Sequence, residues 1–271
     1  MKRGALLING LLGLTGALTL FPLVWMVSVS FMPAGTSATY PPPLFPAHPT
    51  MANYTELWTH AGMARHLGNS MLLATLATLL SLTLNVSAGY AFAKIEFPGR
   101  ETVAKAMLAA LVIPAQVAML PLFLELKALG LVDTYAGVLV PSLAGIFSIF
   151  LVRQAALSIP NELIDAARID GASEWTIYRR VALPLMRPML VTLGVFTFLG
   201  SWNDFLWPLI VLNDSSRYTL PVALAALSRE HVQDNELMMA GSVVTVVPVL
   251  LLFLLLQRHY LAGLMVGAVK G

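Results

Sequence analysis

The sequence predicts an all-α, polytopic membrane protein with six transmembrane helices. Of its 271 residues, 58% are hydrophobic and only 11% are charged, against roughly 25% charged residues in ordinary soluble domains. The charged residues leave six long gaps, each near the ~20 residues that cross a bilayer as a helix. These gaps are continuously apolar, whereas the strands of a membrane β-barrel alternate between apolar and polar residues.

The same composition excludes several classes of function. Thirty charged residues cannot cover the surface of an ordinary soluble enzyme of this length. The net charge of +2 is too small for nucleic-acid binding through a basic field. The absence of cysteine excludes thiolate chemistry, and the five histidines contain no i, i+4 pair. We therefore predict no catalytic residues and no metal site in this chain.

The predicted spans follow the charge-free gaps in chain order. The first gap opens after Arg3, and the fifth, after Arg187, is interrupted only by Asp204. A signal peptide is the alternative for the first span, but the apolar run is longer than a usual signal core and ends without a clear cleavage site. The spans cover residues 5–31, 69–93, 104–126, 135–156, 186–211 and 238–259, within a single transmembrane domain of residues 1–271.

Lysine and arginine set the predicted orientation. With the N-terminus inside, twelve of these residues fall in cytoplasmic segments and four in outer segments. Both termini are therefore predicted to be cytoplasmic. The proline-rich outer segment 32–68 is predicted to be irregular, with a short interfacial helix around Tyr54 and Trp58. This segment and the outer segment 212–237 could be docking surfaces for an extracytoplasmic partner or simple connections.

The longest cytoplasmic segment is the 157–185 loop. Pro160 suits the first turn of a helix, Gly171 can end that helix with a positive φ, and Ser173 can cap a second short helix. Pro184 is predicted to stop the second helix and begin the return into the membrane. Four small residues of the loop would let a partner approach closely: Ala166, Ala167, Gly171 and Ala172. A segment lying on the inner leaflet is the alternative, but the loop has no lysine-rich face.

Three short elements of the 157–185 loop occur at fixed spacing, and they are Asp165-Ala166-Ala167, Gly171 and Val181-Ala182-Leu183-Pro184. They resemble the cytoplasmic signature of ABC importer permeases, with Asp in place of Glu and Val in place of Ile. Residues 165–173, 202–208 and 263–271 are similar to sugar importers of the maltose-transporter type. The resemblance implies a type I importer permease fold and a coupling helix between spans four and five.

The resemblance also implies partners. They are a second homologous permease, two ATP-binding subunits and an extracytoplasmic solute-binding protein, all in the cell inner membrane or at its surfaces. ATP and Mg²⁺ would be held by the ATPase subunits, because this chain has no phosphate-binding loop and is expected to bind no cofactor. The implied coupling residues are Asp165, Ala166, Ala167, Arg168, Asp170, Gly171, Ala172, Val181, Leu183 and Pro184.

Polar residues within the predicted spans are candidates for the solute path. Trp202, Asn203 and Asp204 combine aromatic and hydrogen-bonding groups, although Asp204 could instead fix a helix break before Pro208. Asn85, Gln116 and Ser142 are further candidates, with an interhelical hydrogen bond as the alternative for each.

Three functional hypotheses remain. The first is the permease of a sugar importer, or of an importer for glycerol phosphate or another small polar solute. A free-standing secondary carrier needs coupling residues in the spans, where only Asp204 is available, and a membrane-embedded enzyme lacks a catalytic cluster. The apolar tail, residues 261–271, is predicted to contact the ATPase subunits or to lie free in the cytoplasm.

Overall fold

All regular structure in the described residues is helical. The computed structural model describes the backbone of residues 2–230 and 234–268, and the side chains of these residues except 2–7, 230, 256 and 258–268. In chain order the helices are α1 (Lys2–Ser30), α2 (Ala52–Thr59), α3 (Met63–Lys94), α4 (Arg100–Ala110), α5 (Ala115–Ala128), α6 (Tyr135–Leu139), α7 (Ile146–Leu157), α8 (Asn161–Ile169), α9 (Glu174–Ile177), α10 (Leu183–Trp202), α11 (Leu206–Val211), α12 (Leu220–Glu230) and α13 (Asn235–Ala268).

The prediction of an all-α membrane fold is confirmed. Four helical runs are long and apolar enough to cross a membrane, and they are Ile8–Ser30, Met63–Lys94, Glu174–Trp202 and Asn235–Leu255. Two bent helix pairs bring the number of spans in the described residues to as many as six. The predicted short helix around Tyr54 and Trp58 is α2.

The third and fourth predicted spans contain Pro114, Pro121 and Pro141, which can kink a helix, and the structure divides each of these spans into two bent parts. α4 and α5, which cover the predicted span 104–126, are bent by 105°. The break ends at Pro114, whose extended backbone and missing N–H cannot continue α4. Residues 135–156 are divided into α6, a 3₁₀ turn at Val140–Ser142 and α7, with a bend of 44° between the two parts.

The fifth predicted span also differs from the structure. α10 ends at Trp202, and α11 begins only at Leu206. Residues 203–205 leave the helix, so 186–211 is not one continuous helix, and the alternative that Asp204 fixes a helix break before Pro208 is confirmed. In the outer segment 212–237, the structure adds α12, an amphipathic helix that charge spacing did not reveal.

One compact unit contains residues 1–67 and 219–251. Its proline-rich segment is held by buried polar side chains on neighbouring helices. The Asn53 amide donates to the carbonyls of Ser30 and Met32, both at 2.9 Å. The buried Glu236 carboxylate accepts from the backbone N–H groups of Gly35, at 3.1 Å, and Ser37, at 2.6 Å.

The second compact unit contains residues 68–218 and 252–271. Within it, α3 and α7 approach closely at Gly89, where an added Cβ would lie 2.6 Å from the Cβ of Val152 and 2.7 Å from the carbonyl oxygen of Ile149. One apolar cluster surrounds Trp207, whose indole N–H donates to the Gly137 carbonyl at 3.1 Å. A second cluster lies beneath the 157–185 loop. The predicted single domain of residues 1–271 stays a prediction.

The tail, predicted to contact ATPase subunits, lies outside the described side chains. Its helix α13 is described as far as Ala268, and residues 269–271 fall outside the described backbone.

Candidate functional site: the 157–185 loop

The 157–185 loop begins with an anchored turn. α7 ends at Leu157, and Pro160 occupies the cap position immediately before α8. The Lys94 ammonium, at the end of α3, donates to the carbonyl of Ile159 at 2.6 Å and to Oδ1 of Asn161 at 2.7 Å. These charge-assisted hydrogen bonds fix the entry of the loop to the helix bundle.

The predicted end of the first loop helix at Gly171 is confirmed, and we call this turn between α8 and α9 the glycine elbow. Gly171 has a φ of +81°, a conformation that other residues adopt at a cost. The N–H of Gly171 donates to the Arg168 carbonyl, and the N–H of Ala172 donates to the Ala167 carbonyl, both at 3.0 Å. This pair of hydrogen bonds is the Schellman arrangement that ends a helix. Because the turn needs a positive φ at position 171, a glycine occupies this position, four residues after Ala167.

The second loop helix is capped as predicted but does not stop at Pro184. The Ser173 hydroxyl accepts from the Thr176 N–H at 3.3 Å. The helix then passes through a π-helical turn at Tyr178–Ala182 into α10, so that residues 174–202 form one run of 29 residues. In this turn the N–H of Leu183 donates to the backbone carbonyl of Tyr178, five residues earlier in the chain. Pro184, which has no N–H to donate, is tolerated directly after this wider turn.

An apolar core holds the loop against the transmembrane helices. Its buried members come from α3, α7, the turn before α8, α8, α9, the π-helical turn and α10: Val86, Tyr90, Val152, Ala156, Ile159, Ile164, Ile177, Tyr178, Ala182, Met186 and Leu193. Ala167 and Ala172 pack against this core, and Val181 and Leu183 do so as well. The two alanines therefore serve the chain's own packing, whereas Ala166 and Gly171 are exposed.

The outer surface of the loop presents apolar side chains between fixed charges. Ile169 is 86% exposed and Trp175 is 62% exposed. The Arg179 guanidinium lies 5.8 Å from the Trp175 ring centre, within the range of a cation–π contact. Exposed aromatic and aliphatic anchors among charges are typical of a protein-docking surface.

Arg168 organises the charges of this surface. Its guanidinium donates to Glu174 at 2.8 Å and to Asp165 at 3.1 Å, so that it joins α8 to α9 across the glycine elbow. The hydrogen bond that Arg168 donates to Glu174, together with the negative charges of Glu174 and Asp165, raises the pKa of Arg168. Asp170 is the C-cap of α8 and is exposed.

The candidate path residues lie on several elements. Asn85 on α3 is only 1% exposed; its Oδ1 accepts from the Gly145 N–H at 3.1 Å, and its amide donates to Ser81 at 2.6 Å. Gln116 is exposed in the first turn of α5. The Ser142 hydroxyl donates to the Leu139 carbonyl at 2.8 Å.

The remaining candidates lie together at the end of α10. Trp202 is buried and stacks on Phe198, with ring centres 5.8 Å apart. The Asn203 amide donates to the Leu199 carbonyl at 2.9 Å, and Asp204 accepts from the Trp207 N–H at 3.5 Å. This stretch therefore joins α10 to α11. Among the described residues, no group of three His, Asp or Glu side chains could hold a metal ion.

Sequence reasoning missed the role of Asp133. Its carboxylate accepts from the N–H groups of Asp214 and Asn213, both at 3.0 Å, and pairs with Arg217. The two backbone hydrogen bonds, with the Arg217 charge, lower the pKa of Asp133. Asp133 also has a φ of +60°, and aspartate is one of the few residues that adopt this conformation readily. The sequence signal that could have revealed this role is an aspartate in the turn shortly after α5.

We expect Asp133→Asn to loosen residues 211–217, because the amide loses the charge that these donors and Arg217 bind. A carboxylate with a lowered pKa stabilises the fold above its unfolded pKa of about 3.9, and this contribution is lost as pH falls through the lower folded value. Hydrogen exchange at pH 7 should be faster in this segment in Asp133→Asn. Glu96→Gln is the control at an exposed carboxylate, and equal exchange in both variants would contradict the anchoring role.

Comparison with known proteins identifies relatives over nearly the whole chain. The model of the family described as "binding-protein-dependent transport system inner membrane component" matches residues 85–264. The arabinooligosaccharides transport system permease AraQ of Halalkalibacterium halodurans is 39% identical, with 94% of this chain and 92% of that protein covered. The diacetylchitobiose uptake permease NgcG of Streptomyces coelicolor is 33% identical, with coverages of 99% and 90%.

A solved structure has the same fold. It is a chain of a bacterial ABC transporter involved in the import of the acidic polysaccharide alginate. The TM-score is 0.84 at 22% sequence identity, and the match covers 96% of this chain and 97% of that one.

Proposed function

This chain belongs to the family of binding-protein-dependent transport system inner membrane components, and from that premise we propose that it is the permease subunit of an ATP-driven sugar importer. It forms half of the translocation path and takes its driving motion from ATPase subunits through the 157–185 loop. The observation that carries this proposal is the loop itself: two short helices with a fixed elbow, packed on the bundle and presenting Ile169 and Trp175 outward.

The proposed coupling follows from how the loop is held. The Schellman turn at Gly171 and the ion pair between Arg168 and Glu174 fix α8 relative to α9. A partner that binds this surface therefore moves both helices together. The buried cluster under the loop then passes the motion to α3, α7 and α10 as movement of packed helices. ATP and Mg²⁺ belong to the partner ATPases in this proposal.

The proposed assembly has four further components. A second homologous permease completes the path, two ATP-binding subunits lie beneath the two permeases with one of them docked at the 157–185 loop, and an extracytoplasmic binding protein delivers the solute. Both termini are then cytoplasmic, as the lysine and arginine distribution predicts. Asn85, Gln116, Trp202, Asn203 and Asp204 remain the proposed candidates for contacts along the path.

A neutral sugar is the proposed solute class. The relatives named for arabinooligosaccharides and diacetylchitobiose are similar to this chain over more than nine-tenths of its length. A phosphorylated solute such as glycerol phosphate would favour a basic side chain along the path, and the predicted spans have none at mid-depth. Glycerol phosphate therefore remains the less favoured solute.

The test is purification of the full chain from its native membrane in mild detergent, followed by mass-spectrometric identification of the accompanying subunits. We expect a second permease and an ATPase. After reconstitution with the cognate binding protein, ATP hydrolysis should rise when a sugar oligomer is added and should not rise with glycerol phosphate. Transport driven by an ion gradient without any ATPase would contradict the proposal.

A further inference from the structure

A basic cleft of about 190 Å³ lies between α4 and α7, and its lining residues are outside the 157–185 loop. Three cationic side chains line it, Arg100, Lys105 and Arg153, together with one carboxylate, Glu101. The remaining lining residues are apolar or small: Ala104, Leu108 and Phe150. The cleft thus combines an excess of positive charge with an apolar wall.

Each arginine of the cleft is held in place by a backbone carbonyl. The Arg100 guanidinium donates to the Ile95 carbonyl at 3.2 Å, and Nε of Arg153 donates to the Phe92 carbonyl at 3.4 Å. Among the side chains that the structure describes, neither guanidinium lies within ion-pair distance of a carboxylate; Glu101 instead pairs with Lys105 at 3.6 Å. Each arginine therefore keeps N–H donors for a further acceptor.

The position of the cleft indicates a ligand with an apolar part. Arg153 lies four residues before the end of α7, and its partner Phe92 lies two residues before the end of α3. The cleft therefore lies at the end of these helices from which the 157–185 loop emerges, where a membrane-spanning helix meets the lipid headgroups. Along α4, Val103 and Leu108 are exposed apolar side chains beside the cations.

We propose that this cleft binds the headgroup phosphate of an anionic phospholipid, with the acyl chains lying along the exposed apolar side of α4. Arginine donors match phosphate oxygens in geometry and charge. Basic pockets between membrane helices hold anionic headgroups in this way. A free phosphate ion would gain nothing from the apolar wall of Leu108 and Phe150, which favours the lipid.

The test is native mass spectrometry of the full-length chain in detergent micelles, titrated in parallel with phosphatidylglycerol and phosphatidylcholine. We expect one phosphatidylglycerol molecule to bind more tightly than phosphatidylcholine. The double variant Arg100→Gln/Lys105→Gln should weaken phosphatidylglycerol binding about fivefold for each cation removed. Glu101→Gln, which removes the only carboxylate of the cleft, should strengthen it.

Arg65→Gln/Arg229→Gln is the matched control, because it removes two exposed arginines outside the cleft. It should bind phosphatidylglycerol like the wild type. Equal retention of the two lipids by the wild type would overturn the proposal, and so would unchanged binding by both the Arg100→Gln/Lys105→Gln and Glu101→Gln variants. Displacement of phosphatidylglycerol by inorganic phosphate would show a free-anion site and would also overturn it.

Discussion

Gly171→Val should reduce transport at least about tenfold while leaving the amount of inserted chain unchanged. A β-branched residue at a φ of +81° costs about 1–2 kcal/mol, and this cost falls on the turn that fixes α8 against α9. An added Cβ meets nothing within 4 Å in the chain itself. The side chain would therefore project from the exposed elbow, where the proposed ATPase subunit approaches. Reconstituted transport and ATP hydrolysis, measured on the same vesicles, should show hydrolysis without uptake.

A second glycine provides the matched control for this experiment. Gly130 has a φ of +70° and also has nothing within 4 Å of an added Cβ, but it follows α5, far along the chain from the loop. Gly130→Val carries similar backbone strain and should retain coupled transport. Gly171→Asn should fall between wild type and Gly171→Val, because asparagine tolerates this conformation. Coupled transport at the wild-type rate by Gly171→Val would refute the docking role.

Gly89→Leu should cause the largest loss of folded protein. The new Cβ would lie 2.7 Å from the Ile149 carbonyl oxygen, which is backbone and cannot rotate away. Overpacking of this kind typically costs about 1–3 kcal/mol. Because Val152 belongs to the cluster beneath the 157–185 loop, separation of α3 from α7 should also loosen the loop. The measurement is the thermal stability of the purified chain in detergent.

Gly68→Leu is the control for Gly89→Leu. Gly68 lies in the same helix, α3, and an added Cβ there has nothing within 4 Å. We expect Gly68→Leu to unfold at the wild-type temperature and Gly89→Leu to unfold well below it. Equal stability of the two variants would mean that α3 and α7 can separate freely at this point.

Charge spacing predicted where helices occur but not where they break. Pro114 ends a helix break, whereas Pro121 lies inside α5 and Pro184 follows a π-helical turn without a stop. A proline removes one hydrogen bond, and whether the helix continues depends on how neighbouring turns adjust. The break at 203–205 contains no proline, and it agrees with the alternative that Asp204 fixes a helix break before Pro208: the Asp204 carboxylate accepts from the Trp207 N–H.

The 157–185 loop was predictable because its signals are local. Gly171 and Ser173 determine their own turns through backbone conformation and a short-range hydrogen bond. The inward packing of Ala167 and the burial of Asn85 against Gly145 depend on contacts far apart in sequence. Such contacts leave no periodic pattern in a chain that is apolar nearly everywhere, so polarity alone could not assign Asn85.

The unbroken helix from Glu174 to Trp202 makes a lever arm. At 1.5 Å per residue, its 29 residues span about 43 Å. A tilt of about 5° about the Glu174 end then displaces the Trp202 end sideways by about 4 Å. A small rotation at the Glu174 end therefore moves the Trp202 end by a distance comparable to the width of a side chain. The length of the helix determines the size of this movement.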